Sequence, residues 1–146
     1  MKAKVIFPIL TVLMVILIWA HSFMPADMSA DESGLIVKLI SDIFHITGSN
    51  TDHIVRKCAH FSEYFVLGIL VAIDCALYLK KIFCLFPVFC GLLTPQIDET
   101  IQLFSPGRSG ELFDVWLDFS GYMTGLIFVG VIYCVLKKSG IKQKNN

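Results

Sequence analysis

The sequence predicts an all-α, polytopic membrane protein, with four transmembrane helices and an additional amphipathic helix on the outer surface. Three observations carry this. Hydrophobic residues make up 55% of the 146-residue chain, and the mean hydropathy of +0.72 lies outside the range of an ordinary soluble domain. The apolar residues gather in runs long enough to cross hydrocarbon. The lysines fall at alternate run boundaries: Lys2 and Lys4, then Lys80 and Lys81, then Lys137, Lys138, Lys142 and Lys144. A formal net charge of zero conceals this order. The chain reads as a single domain over 1–146, with spans near 5–23, 59–79, 82–97 and 115–136.

The first run, Val5 to Phe23, has a basic start, as a signal peptide would. It is longer than a usual signal core, and Ile18-Trp19-Ala20-His21 before Ser22 is not an A-x-A cleavage site, so an uncleaved span is expected. Between Gly34 and Gly48, Leu35, Ile36, Leu39, Ile40 and Ile43 recur at helical spacing opposite Lys38, Ser41, Asp42 and His45. That pattern suits a helix lying on the outer membrane surface or one capping the bundle. The second and third runs are separated by the Lys80-Lys81 pair and form a tight antiparallel hairpin. Because basic segments prefer the cytoplasm, both termini are expected inside, with 24–57 and 98–114 facing outward. The third run is short and contains Pro87 and Pro95, which predicts a kink or a helix continuing through Gln102 with its outer end packed on protein. The fourth carries Gly121-x-x-x-Gly125, a small-residue face for close helix packing.

Five cysteines, Cys58, Cys75, Cys84, Cys90 and Cys134, lie mostly in apolar runs without metal-ligand spacing and read as small buried hydrophobes. Asp74, near the inner end of the second span, is expected to reach Lys80 or Lys81.

The remaining charge is concentrated in two clusters, R-K-C-A-H-F-S-E-Y at 56–64 and D-E-T-I-Q-L-F-S-P-G-R at 98–108, followed by Asp114 and Asp118. His60 precedes Lys80 by about 20 residues, or about 30 Å of helix, and Asp118 precedes Lys137 by about 19. Both therefore reach the outer edge of the hydrocarbon, where Glu99 and Gln102 leave the third span. Lys57, His60 and Tyr64 share a helical face that Glu63 flanks, and Asp114 and Asp118 are at i, i+4. Carboxylates facing lipid at this depth would be costly, so they are expected to face inward. Any single pair reads as structural: Arg108 with Asp114 or Glu111, Lys57 with an acidic neighbour, His60 with Glu63. The whole constellation reads as a site. His60, Glu63 and Glu99 are its candidate acid/base residues; Lys57, Tyr64, Gln102, Arg108, Asp114 and Asp118 are its candidate binding residues. Arg108 has the planar donor fork that grips a phosphate or carboxylate. Ser22 is a weaker candidate nucleophile.

K-C-A-H-F-S-E-Y, D-E-T-I-Q-L-F-S-P-G-R and D-V-W-L-D-F-S-G-Y-M-T-G, preceded by W-A-H-S-F-M-P, together resemble the signature of the VanZ-like family of small bacterial membrane proteins. The resemblance runs from Trp19 to about Gly125. It maps onto Lys57, His60, Phe61, Glu63, Tyr64, Asp98, Glu99, Gln102, Pro106, Gly107, Arg108, Asp114 and Gly121; Asp118 stands where the family commonly has Asn. It implies an association with resistance to glycopeptide antibiotics, notably teicoplanin.

The expected partner is a membrane lipid or lipid-linked cell-wall precursor at the outer leaflet of the bacterial cytoplasmic membrane, with a lipoglycopeptide antibiotic as a further candidate. A divalent metal on His60, carboxylates and Gln102 is an alternative; that oxygen-rich set suits Mg or Mn better than a thiol-bearing zinc site. Two non-enzymatic readings compete: a protein that alters surface partitioning of a lipophilic compound, and a scaffold docking through Gly121 and Gly125. Nucleotide, haem and flavin motifs are missing from the sequence, and the basic residues are membrane flanks rather than a nucleic-acid stripe.

Overall fold

The computed structural model describes residues 2–25, 28, 51–82, 84–108 and 110–144, with the side chains of 51–53 and 139–144 left out of the description. Four helices are present among them: α1 (Ala3–Ser22), α2 (Thr51–Tyr78), α3 (Leu85–Gln102) and α4 (Leu112–Lys144). The amphipathic segment 34–48 lies outside the described residues. Among the described residues, three stretches are long and apolar enough to cross a membrane: Ala3–Ser22, Ile54–Tyr78 and Leu112–Lys138. α3 has 18 residues, and its last turns carry Asp98, Glu99 and Gln102, all buried. It runs unbroken through Pro95 and ends at Gln102, packed against protein.

The order of contacts fixes the helix directions. Along α1 and α2, His21 meets Glu63, Thr11 meets Asp74, and the Tyr78 hydroxyl donates to the Lys4 carbonyl, so the two helices are antiparallel. α2 and α4 are parallel: Phe61 faces Gly121 and Phe65 faces Gly125. A Cβ on Gly121 would sit 2.5 Å from the Phe61 carbonyl oxygen. Gly125 is pressed against the Phe65 carbonyl, and Gly68 against that of Tyr122. Lipid tails are as apolar as leucine and give helices no hydrophobic reason to associate, so close backbone approach at such glycines supplies much of the cohesion. The Gly121 and Gly125 face is thus occupied within the chain and is not open for docking a scaffold partner.

Ile18, Tyr64, Leu67, Ala72, Tyr122 and Leu126 form the centre of the core. α3 is pinned to it by the Tyr122 hydroxyl, which donates to the Pro87 carbonyl at 2.7 Å. The outside is apolar as well. Only 6% of the α1 window is buried, which leaves Val5, Ile9, Val12 and Ile16 outward, as a helix facing hydrocarbon requires.

Asp74 accepts a 2.7 Å bond from the Thr11 hydroxyl of α1 and does not reach Lys80 or Lys81 by an ion pair among the described residues. A short polar partner on the adjacent helix is closer than a lysine beyond the helix end. Lys80 adopts φ 54, the left-handed conformation that stops α2 and turns the chain toward α3. All five cysteines are free thiols; Cys75 is buried, whereas Cys58 and Cys134 face outward.

Candidate functional site

A polar layer occupies the end of the bundle where α1 finishes, α2 and α4 begin and α3 exits. It encloses a cavity of about 80 Å³ lined by Lys57, His60, Glu99, Gln102, Arg108, Asp114 and Asp118, with Arg56, Gly107, Glu111 and Leu117 completing the wall. Seven of the nine sequence-predicted site residues therefore meet in one place. Glu63 and Tyr64 do not line the cavity. Glu63 turns toward α1, where its Oε1 lies 3.0 Å from His21 Nδ1. Tyr64 is fully buried beneath the cavity and faces Asp98.

The cationic side of the site comes from the start of α2 and the loop before α4. Lys57 donates to Asp114 at 2.7 Å and lies 3.8 Å from Glu111, tying α2 to α4. Its ammonium also sits 4.8 Å from the centroid of the Phe113 ring, a favourable cation–π distance. Arg108 is set by the turn after α3: its N–H donates to the Ser105 carbonyl, and Gly107 takes φ 75. Burial, helped by neighbouring Arg56, draws the Arg108 guanidinium down from its ordinary value, against the pull of Asp98, Glu99 and Glu63. An arginine nevertheless stays charged.

The acidic floor is more deeply enclosed. Asp98 is 0% exposed; its Oδ1 accepts from the Ser22 hydroxyl, and its Oδ2 accepts weakly from the Gln102 amide at 3.4 Å. Ser105 donates to the Ser22 carbonyl at 2.7 Å and so fastens the end of α1 beneath the loop. Glu99 Oε2 accepts from the Glu111 N–H at 2.9 Å, which orders the entry to α4. Asp118, 1% exposed, has neither carboxylate oxygen hydrogen-bonded.

Buried polar atoms in folded proteins nearly always have partners. Here five without one gather around this cavity: His60 Nδ1, Glu99 Oε1, Arg108 Nε and both Asp118 oxygens. Leaving them unsatisfied costs about 1–3 kcal/mol each. A cavity that concentrates such atoms is built to receive polar guests, whether waters, an ion or a ligand group.

Asp98, His21 and Arg56 join the layer without being singled out by the sequence patterns as binding or acid/base residues, and Ser22, singled out only as a candidate nucleophile, joins it as well. For Asp98 the i, i+4 relation to Gln102 was available; for His21 and Ser22 the signal was their position at the outer end of the first span. Ser22, fully buried, donates to the Asp98 carboxylate and does not line the cavity.

A small helical membrane protein with a polar cavity at one end of the bundle is the class that this fold and site define. The chain belongs to the VanZ/LLP1 family, whose model matches residues 7–135 and so takes in every helix that builds the cavity. No curated protein and no solved structure matches it significantly.

Proposed function

We propose that this protein crosses the bacterial cytoplasmic membrane four times as one domain, with α3 as a short fourth span and both termini cytoplasmic. The cavity then faces outward and binds or modifies the anionic headgroup of a lipid or a lipid-linked cell-wall precursor. The observation that carries the reading is the gathering of Arg56, Lys57 and Arg108 with His60 and unpartnered buried polar atoms in one cavity.

Depth supports it. Phe104, Phe113 and Trp116 are 80%, 65% and 57% exposed around the same end, the pattern of an interfacial aromatic belt. Lys4, Lys80, Lys81, Lys137 and Lys138 mark the opposite end. A headgroup at this level would meet the Arg108 fork and Arg56 first. His60 and Glu99 line the same cavity as its acid/base candidates, while Glu63, one turn along α2, lies 3.0 Å from His21.

The family resemblance adds a role in teicoplanin resistance to this reading, through a changed lipid or precursor at the cell surface. The test is glycopeptide susceptibility of a bacterial host expressing wild type, His60→Ala, Glu99→Gln and Arg108→Ala at matched membrane levels. Protection against teicoplanin but not vancomycin, lost in all three variants, is expected. No protection by wild type, or protection that survives the variants, would count against it.

A further inference from the structure

Two groups lining the cavity and one buried beside them have an arrangement that an organic headgroup does not account for. A ring nitrogen of His60 and one carboxylate oxygen from each of Asp98 and Asp118 lie within 4.8 Å of one another. They come from three helices, α2, α3 and α4, so the cluster is a product of tertiary packing and not of local sequence. We infer that His60, Asp98 and Asp118 form a binding site for one divalent transition-metal cation, of the Mn2+ or Zn2+ kind.

Asp118 is the independent indication of a ligand. Its side chain is 1% exposed, it lines the cavity, and neither oxygen has a hydrogen-bond partner. A buried carboxylate in that condition needs a proton or a positive charge. None of the nearby cations hydrogen-bonds it: Lys57 is engaged by Asp114 and Glu111, and Arg56 and Arg108, which line the same cavity, make no hydrogen bond to its oxygens. Asp98, 0% exposed, lies close enough to Asp118 that the two carboxylates repel each other unless something lies between them.

The donor set defines the chemistry. One imidazole with two carboxylates is a mixed nitrogen and oxygen set, which favours Mn2+ or Zn2+ over Ca2+, and it leaves coordination positions for water or for an oxygen of a bound group. Donors sharing such an ion stand roughly 3–4 Å apart, so side-chain adjustments of about 1 Å close the site. Asp98 is already oriented as a ligand should be, held from behind by Ser22 and Gln102.

An ion would also offset the local charge. Asp98, Glu99, Glu111, Asp114 and Asp118 face Arg56, Lys57 and Arg108 here, an excess of two carboxylates. A dication would cancel that excess and leave Arg56 and Arg108 to attract a phosphate. With the ion bound, His60 is a ligand and Glu99 is left as the acid/base group; the metal site itself stands on the side chains alone, so it can be tested without lipid.

The experiment is equilibrium dialysis of Mn2+ and of Zn2+ against the full chain, stripped with chelator and held in detergent micelles. Wild type should bind one equivalent of at least one of the two ions. Asp118→Asn and His60→Gln should weaken that binding tenfold or more, while Asp74→Asn, a half-buried acid elsewhere in the bundle, should bind as wild type does. No stoichiometric binding of either ion overturns the inference, as does Asp118→Asn binding as tightly as wild type. If these variants lose their helical circular dichroism, electron spin echo spectroscopy of the wild-type Mn2+ complex, or X-ray absorption of the Zn2+ complex, decides. A single imidazole nitrogen on the metal supports the site, and none or several refutes it.

Discussion

Replacing Gly121 by alanine tests the α2–α4 seam on which the site rests. In an ordinary helix interior the change would stabilise by about 0.8–1.0 kcal/mol, because alanine is the better helix former. Here the new methyl would lie 2.5 Å from the Phe61 carbonyl oxygen, with the Phe61 carbonyl carbon at 3.2 Å. A tolerated C–H···O contact needs about 3.3–3.6 Å, so the helices must part by roughly 0.8–1 Å. The obstruction is backbone and cannot rotate away, which places the overpacking cost toward the upper end of about 1–3 kcal/mol. The expected balance is a net loss of about 1–2 kcal/mol, or a factor of about 5–30 in the folded population. Phe61 adjoins His60, and Gly121 follows Asp118 by three residues, so the same opening draws two floor residues apart. Unfolding of the purified protein in mixed micelles of rising dodecyl sulfate content reads the stability. Thr124→Ala, on the exposed face of the same helix, should change it by no more than about 0.5 kcal/mol. A Gly121→Ala protein as stable as wild type would refute the seam.

Further outcomes follow from individual contacts. Tyr122→Phe removes the 2.7 Å bond to the Pro87 carbonyl in the core and should lower stability by about 1 kcal/mol in the same unfolding assay; no change would mean that the bond does not hold α3 in place. Thr11→Val takes the donor from Asp74, whose Oδ1 is already buried without a partner, and should cost about 1–3 kcal/mol. Asp74→Leu added to Thr11→Val should recover much of that loss, and strictly additive costs would show the two residues to be uncoupled. Lys80→Gly relieves the left-handed backbone at φ 54 and should raise the unfolding midpoint, by about 0.5–1 kcal/mol of stability. A lowered midpoint would assign Lys80 a role in the turn beyond its conformation.

The four described helices and the shared level of the polar residues were legible in the sequence because both depend on one-dimensional quantities: run length, flanking lysines and about 1.5 Å of rise per residue. Those quantities set His60, Glu99 and Asp118 at one level before any packing was considered. Partner choice was harder to read, because it depends on how helices are rotated against each other. Glu63 lies three residues from His60, yet the rotation of α2 aims it at His21 on α1. Asp74 was assigned to the lysines nearest in sequence, whereas its partner is Thr11, which is 63 positions away. Gly121 and Gly125 announced a close helix contact but not with whom, and the parallel run of α2 beside α4 supplies the answer within the chain. Asp98 sat in a recognised motif, but its value to the site came from Ser22 and Asp118 on two other helices.

The proposed function requires the cavity to receive an anionic lipid headgroup, and the most direct measurement is lipid retention by the purified protein. Native mass spectrometry from nanodiscs would compare a polyprenyl phosphate with phosphatidylcholine, for wild type and for Arg108→Ala. Wild type should retain the phosphate lipid selectively. Arg108→Ala should weaken that retention about tenfold or more, since charge-assisted hydrogen bonds contribute about 1.5–3 kcal/mol each. Equal retention of both lipids by wild type, or retention unchanged in Arg108→Ala, would contradict the account.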